Sequence, residues 1–164
     1  MSAYLSALAV CALLFGCRDE PIRETRDLAK GVASAKGAGA KLTFVKAPEG
    51  DVAALVKQAQ ADAIAEGAKL IVYVGASWCE PCQEFHKAAE AGKLDAKLPR
   101  IRFLEFDLDR DEPRLADGGY VTKYVPLFAV PARDGRASGK QIAGSIKGEG
   151  AAHEIAPRLL QILE

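Results

Sequence analysis

The sequence predicts an α/β domain with a mixed central sheet and helices on both of its faces. Three observations carry that expectation. Apolar runs of strand length alternate with stretches of helical spacing from residue 42 onward. One of those runs, LIVYVG at 70–75, is continuously apolar, as a strand covered on both faces must be. Near the C-terminus two runs flank a tight Arg-Asp-Gly-Arg turn at 133–136, which adds antiparallel pairing.

Taken in order, Leu42-Thr-Phe-Val-Lys46 reads as a first strand. Residues 51–66 have helical spacing through Leu55, Val56, Ala59, Ala63 and Ile64, with Asp51 as N-cap and Gly67 as stop. The strand at 70–75 is followed by a helix from Cys79 to about Ala91, ended by Gly92. Residues 101–107, IRFLEFD, make the next strand, and a short helix is expected over 112–120, closed by Gly118-Gly119. Strands at 127–132 and 141–146 flank the hairpin turn, and 151–163 is a closing helix in which Pro157 marks a kink.

The whole chain has 164 residues, with 22 Lys plus Arg against 22 Asp plus Glu, so its net charge is zero. No basic excess points to nucleic acid and no acidic tail to a basic partner. The length suits one domain with extra segments at its ends. Three parts are expected. Residues 1–16 read as a signal peptide, 17–41 as a flexible tether, and 42–164 as the folded domain.

The signal reading rests on residues 2–16, SAYLSALAVCALLFG, which carry no charged side chain and are too short to span a membrane comfortably. Leu14-Phe15-Gly16-Cys17 followed by charged Arg18-Asp19-Glu20 resembles the lipobox of bacterial lipoproteins, which implies cleavage before Cys17 and lipid on its thiol. Phe15 is larger than the usual residue there, the leading Lys or Arg of an ordinary signal is missing, and Cys11 fits worse because bulky Val10 precedes it. A plain secretory signal is the alternative. The stretch 18–41, charged and then rich in Gly, Ala, Ser and Lys, has little to bury. As a flexible chain it spans about 25–30 Å, enough to hold the domain near a membrane while letting it reorient.

The chemistry lies in Ser77-Trp78-Cys79-Glu80-Pro81-Cys82, between the buried strand and the following helix. A bond between Cys79 and Cys82 closes too small a loop to stabilise the fold much, so a redox or metal role is favoured over a structural one. At the helix N-terminus, unpaired N–H groups and the macrodipole favour a thiolate on Cys79. Cys82, three residues on, lies on the same face about one turn inward. One sulfur is therefore expected to be exposed and nucleophilic and the other shielded. Pro81 is tolerated in a first turn and stiffens it.

The stretch W-C-E-P-C resembles the thioredoxin superfamily, and the similarity runs from about Leu42 to the C-terminus. It implies a thioredoxin fold and a thiol–disulfide oxidoreductase whose Cys79–Cys82 disulfide is the redox centre, with no other cofactor. It also implies that Val125-Pro126 is the family's cis-proline turn, lying against the reactive cysteine and binding substrate backbone. Trp78, Glu80 and Pro81 then support the site, Trp78 as a shield over it. Among subfamilies, Cys82-Gln-Glu-Phe-His-Lys87 is similar to the corresponding helix of periplasmic reductase domains of the DsbD C-terminal type. Two positions depart from the family. Its buried Asp six residues before the first cysteine is Tyr73 here, and its accompanying strand Lys is Glu105. Glu105 is either a substitute proton acceptor or a solvent-facing strand residue.

Glu80 sets a negative charge beside Cys79, which disfavours the thiolate and favours reduction of substrates over oxidation. The expected partners are exported protein thiols and disulfides, a membrane electron donor, and the membrane itself through Cys17; a monomer facing the periplasm is expected. The rival class is a binding module that senses redox state or carries metal on Cys79, Cys82 and His86, spaced C-x2-C-x3-H. No fourth Cys or His lies near those three in sequence, so no metal is assigned to the site. Covalent haem is excluded because Gln83, not His, follows Cys82. Tyr120 and Tyr124 read as packing residues near the Val-Pro turn.

Overall fold

The computed structural model describes residues 41–164. The signal, Cys11, Cys17 and nearly all of the tether lie outside the described residues. Among those described, no helix is long and apolar enough to cross a membrane.

Five strands and four helices follow one another as β1 (Leu42–Lys46), α1 (Val52–Ala65), β2 (Lys69–Gly75), α2 (Glu80–Glu90), β3 (Ile101–Asp107), α3 (Leu108–Asp117), β4 (Leu127–Pro131), β5 (Ala137–Ala143) and α4 (Ala151–Leu163). The strands form one sheet in the order β1-β3-β2-β4-β5. β3 pairs parallel with β1 and with β2, whereas β4 pairs antiparallel with β2 and β5. This is the mixed α/β sheet of a thioredoxin fold.

The period of two along β2 explains why its run is continuously apolar. Ile71 and Tyr73 join one core cluster with Phe85 of α2 and Ile155 and Leu159 of α4. Leu70, Val72 and Val74 join the other cluster with Val56 and Ala59 of α1 and Leu115 of α3. The sheet therefore carries two helices on each face. A fan of aromatic rings fills the first cluster. Phe44 stacks on Phe103 with centroids 4.6 Å apart, and Phe85 meets Phe128 edge to face at 4.8 Å.

Several boundaries differ from those expected. α1 is capped as predicted, its Asp51 carboxylate accepting from the Ala54 N–H at 2.8 Å. Ile64, however, is 77% exposed. The buried stripe runs through Val52, Val56, Ala59 and Ala63, and one further residue turns 100° away from it. α3 begins at Leu108 rather than at residue 112. Asp107, the last residue of β3, caps it by accepting from the Asp109 N–H at 2.9 Å, so strand runs straight into helix. Pro113 falls inside that helix rather than in its first turn. The carboxylate of Asp111 is buried in the same turn. Desolvation raises its pKa, but bonds from Arg110, the Asp107 N–H and Arg114 outweigh that and leave it lowered.

The last hairpin also shifts. β5 covers Ala137–Ala143 instead of 141–146, because the turn closes immediately, Ala132 N–H donating to Arg136 O at 2.8 Å. Gly144, with φ +67°, ends the strand. At the turn, Gly135 has φ +85° and lies so close to α1 that a Cβ there would be 2.0 Å from the Ala53 carbonyl oxygen. Tyr120 is buried and its hydroxyl donates to the Gly135 carbonyl at 2.8 Å, so it is a packing residue as expected. Pro157 sits inside α4 without ending it.

Candidate active site

The redox pair occupies the junction that the sequence assigned to it. β2 ends at Gly75, three residues bridge the gap, and Cys79 is the N-cap of α2 in extended conformation. Its sulfur accepts from the Cys82 N–H at 3.2 Å, which uses one of the free donors at the helix start. Pro81 lies in the first turn, where its missing N–H costs nothing. Cys79 and Cys82 are joined as a disulfide with Cα atoms 5.2 Å apart.

The expected contrast in exposure is absent from this oxidised form. Both cysteines are 3% exposed and both belong to the aromatic core cluster. The disulfide and the N-cap bond hold the Cys79 sulfur against the first turn of α2. The two cysteines differ instead in what they face. Cys82 lines a cavity of about 400 Å³, and Cys79 is not among its lining residues.

The supporting residues divide by position. Trp78 is 62% exposed, and its indole N–H donates to the Asp109 carboxylate at 2.9 Å. This anchors the ring toward the first turn of α3. Asp109 was not singled out in the sequence; its only signal there is an acidic residue just past the end of a strand. Glu80 begins α2 and accepts from the Gly148 N–H at 3.1 Å, which ties the redox turn to the loop before α4.

The Val125–Pro126 peptide is cis, in agreement with the family resemblance. It immediately precedes β4, whose Leu127 pairs with Val74 near the end of β2. Val125 packs against the cluster that contains both cysteines. Tyr124, expected to pack, is 70% exposed because it sits on the outer side of this turn, close to Gly144.

On the other side of β2 lies the cavity. The parallel register places Lys46, Glu105 and Tyr73 side by side across β1, β3 and β2. Glu105 is neither solvent-facing nor isolated. Its carboxylate is 3.1 Å from Nε2 of His86, and both side chains are about three-quarters buried, at 23% and 25% exposure. His86 is correspondingly not a plain helix-surface residue. Its ring lies 4.1 Å from that of Phe44 and 5.3 Å from that of Tyr73. The Tyr73 phenol has its pKa raised, first by burial and then by the Glu105 charge, so it stays protonated through the neutral range. The sequence offered His86 and Glu105 separately; it did not offer the pair. Among the described residues no group of three or more His, Cys, Asp or Glu is placed to hold a metal ion.

A thioredoxin fold presenting a C-x-x-C disulfide at a helix start, beside a cis-proline turn, defines the general class of thiol–disulfide exchange proteins. No protein-family model matches the chain, and no curated protein matches it. Solved structures similar to it include thioredoxin from Fasciola hepatica, 24% identical, covering 66% of this chain and 94% of that one with a TM-score of 0.42. Thioredoxin from Trichomonas vaginalis is 18% identical over 76% of this chain and 96% of that one, with a TM-score of 0.44. Thioredoxin from Plasmodium falciparum is 15% identical over 74% and 88%, with a TM-score of 0.37. These are distant likenesses; the strand order and the redox turn of this chain define its fold and site.

Proposed function

We propose that the protein is a thiol–disulfide oxidoreductase that reduces disulfides of exported proteins through Cys79 and Cys82. The observation that carries this reading is the disulfide at the N-cap of α2, next to the Val125–Pro126 turn. In the reduced protein the Cys79 thiolate attacks a substrate disulfide, forming a mixed disulfide and expelling one substrate thiolate. Cys82 then attacks the Cys79 sulfur, closes the intramolecular disulfide and releases the second substrate thiolate. Two electrons pass from the dithiol to the substrate.

The direction rests on Glu80. Its carboxylate lies at the first position of the helix, where it counters the charge of a thiolate on Cys79 and so weakens the pair as an oxidant. Equilibration against glutathione is expected to give a potential more negative than about −200 mV. A value near −120 mV, that of a strong family oxidant, would reverse the direction.

The proposed setting is the periplasmic face of a bacterial membrane, with Cys17 lipidated after removal of residues 1–16. What supports it is the apolar run ending in Leu-Phe-Gly-Cys and the charged tether beyond. Metabolic labelling with an alkyne fatty acid is expected to mark the wild type and to spare Cys17→Ser. Equal labelling of both would remove the anchor from the reading.

A further inference from the structure

Closing the Cys79–Cys82 disulfide requires that the Cys82 thiol lose its proton, because the thiolate is the attacking species. The residue is 3% exposed and sits in an aromatic cluster, an environment that disfavours its charged form. Bulk water reaches it poorly from the face where a substrate docks. A proton acceptor must therefore reach it from within.

We propose that the His86–Glu105 pair is that acceptor, taking the Cys82 proton through the cavity between α2 and the ends of β1, β3 and β2. This inference rests on the oxidoreductase reading above. The cavity, about 400 Å³, is lined by Cys82 at one point and by His86 and Glu105 at another. A space of that size, with Lys46, Glu105 and Asp107 on its wall, has room for waters that bridge such groups. His86 lies four residues beyond Cys82 on α2, hence on the same face one turn on.

The other groups facing the imidazole do not take the role. Tyr73 on β2 keeps its hydroxyl protonated. Lys46 on β1 and Arg110 on α3 are cations, and Arg110 is engaged with Asp111. Asp107 on β3 is committed to capping α3. An imidazole is the side chain suited to exchanging protons near neutral pH. With Nε2 held on the Glu105 carboxylate, the opposite ring nitrogen is left as the base, and the carboxylate stabilises the imidazolium that forms. Glu105 is thus a positioning residue acting through His86.

The step balances as follows. The Cys82 S–H proton moves through cavity water to the imidazole. The Cys82 sulfur pair forms the bond to the Cys79 sulfur, the Cys79–substrate bond breaks, and the substrate sulfur leaves with that electron pair. The imidazolium returns its proton to solvent through the mouth of the cavity.

The test is stopped-flow oxidation of the reduced protein by oxidised glutathione, followed through Trp78, the one tryptophan of the chain. Mixed-disulfide formation and ring closure appear as separate phases. His86→Gln is expected to slow closure at pH 6.5 by about tenfold or more, with little change to the first phase. The deficit should shrink as the pH is raised, because hydroxide then takes the thiol proton without help, and added imidazole should restore part of the rate. Glu105→Gln should show the same pH-shaped deficit in milder form, and it decides the matter if His86→Gln does not fold. A general packing defect predicts neither the pH shape nor the rescue. Closure profiles that overlay the wild type from pH 6 to 9 overturn the proposal. A wild type that closes in this His86-dependent way but does not reduce insulin refutes the oxidoreductase reading alone.

Discussion

Cys79→Ser is expected to lower turnover in an insulin-reduction assay by about 10³-fold or more, close to the uncatalysed rate. The hydroxyl is a far weaker nucleophile at neutral pH, and Cys82, the other thiol of the first turn, has no partner left with which to complete the exchange. Cys82→Ser is expected to fail differently. Its Cys79 still attacks, but the mixed disulfide has no neighbour to resolve it, so substrate remains attached and is visible on a non-reducing gel. Turnover in Cys79→Ser within threefold of the wild type sinks the two-cysteine scheme. So does failure of Cys82→Ser to trap any substrate.

The second large effect is structural and lies far from the disulfide. Gly135→Ala is expected to destabilise the domain by about 2–5 kcal/mol. Roughly 1–2 kcal/mol comes from an L side chain at positive φ and about 1–3 from overpacking. The new methyl would meet the Ala53 carbonyl at 2.0 Å, and that carbonyl belongs to the backbone of α1 and cannot swing aside as a side chain does. The hairpin turn must lift from the helix, which also stretches the Tyr120 hydroxyl bond to the Gly135 carbonyl. Thermal unfolding should move down by roughly 10–20 °C. A shift under 3 °C means the turn relocates at little cost. Gly139→Ala, also at positive φ but with open space around its Cβ, is the control.

These two positions show what a sequence can and cannot disclose. The layer order was legible because each apolar run has the length and period of its element, and the redox turn because C-x-x-C follows a buried strand. Asp51 declared its cap directly. The start of α3 was hidden because Asp107 belongs to β3 by pattern and to the helix by its side chain. Ile64 was misplaced because hydrophobicity alone does not fix the width of a helical stripe. The burial of Cys79 was missed for a different reason. Helix-dipole reasoning concerns charge at the helix start and does not say how closely neighbouring side chains cover the sulfur. The His86–Glu105 pair depends on two elements meeting across the sheet. No local spacing encodes such a meeting.

The order β1-β3-β2-β4-β5 places the Val125–Pro126 turn and the His86 cavity on opposite flanks of β2. A client polypeptide lying along the first flank leaves the second unobstructed. Under the proposed scheme, traffic in protein chains and traffic in protons would use different doors to the same pair of sulfurs. Engineering one entrance, to widen the range of clients or to retune acidity, therefore leaves the other in place.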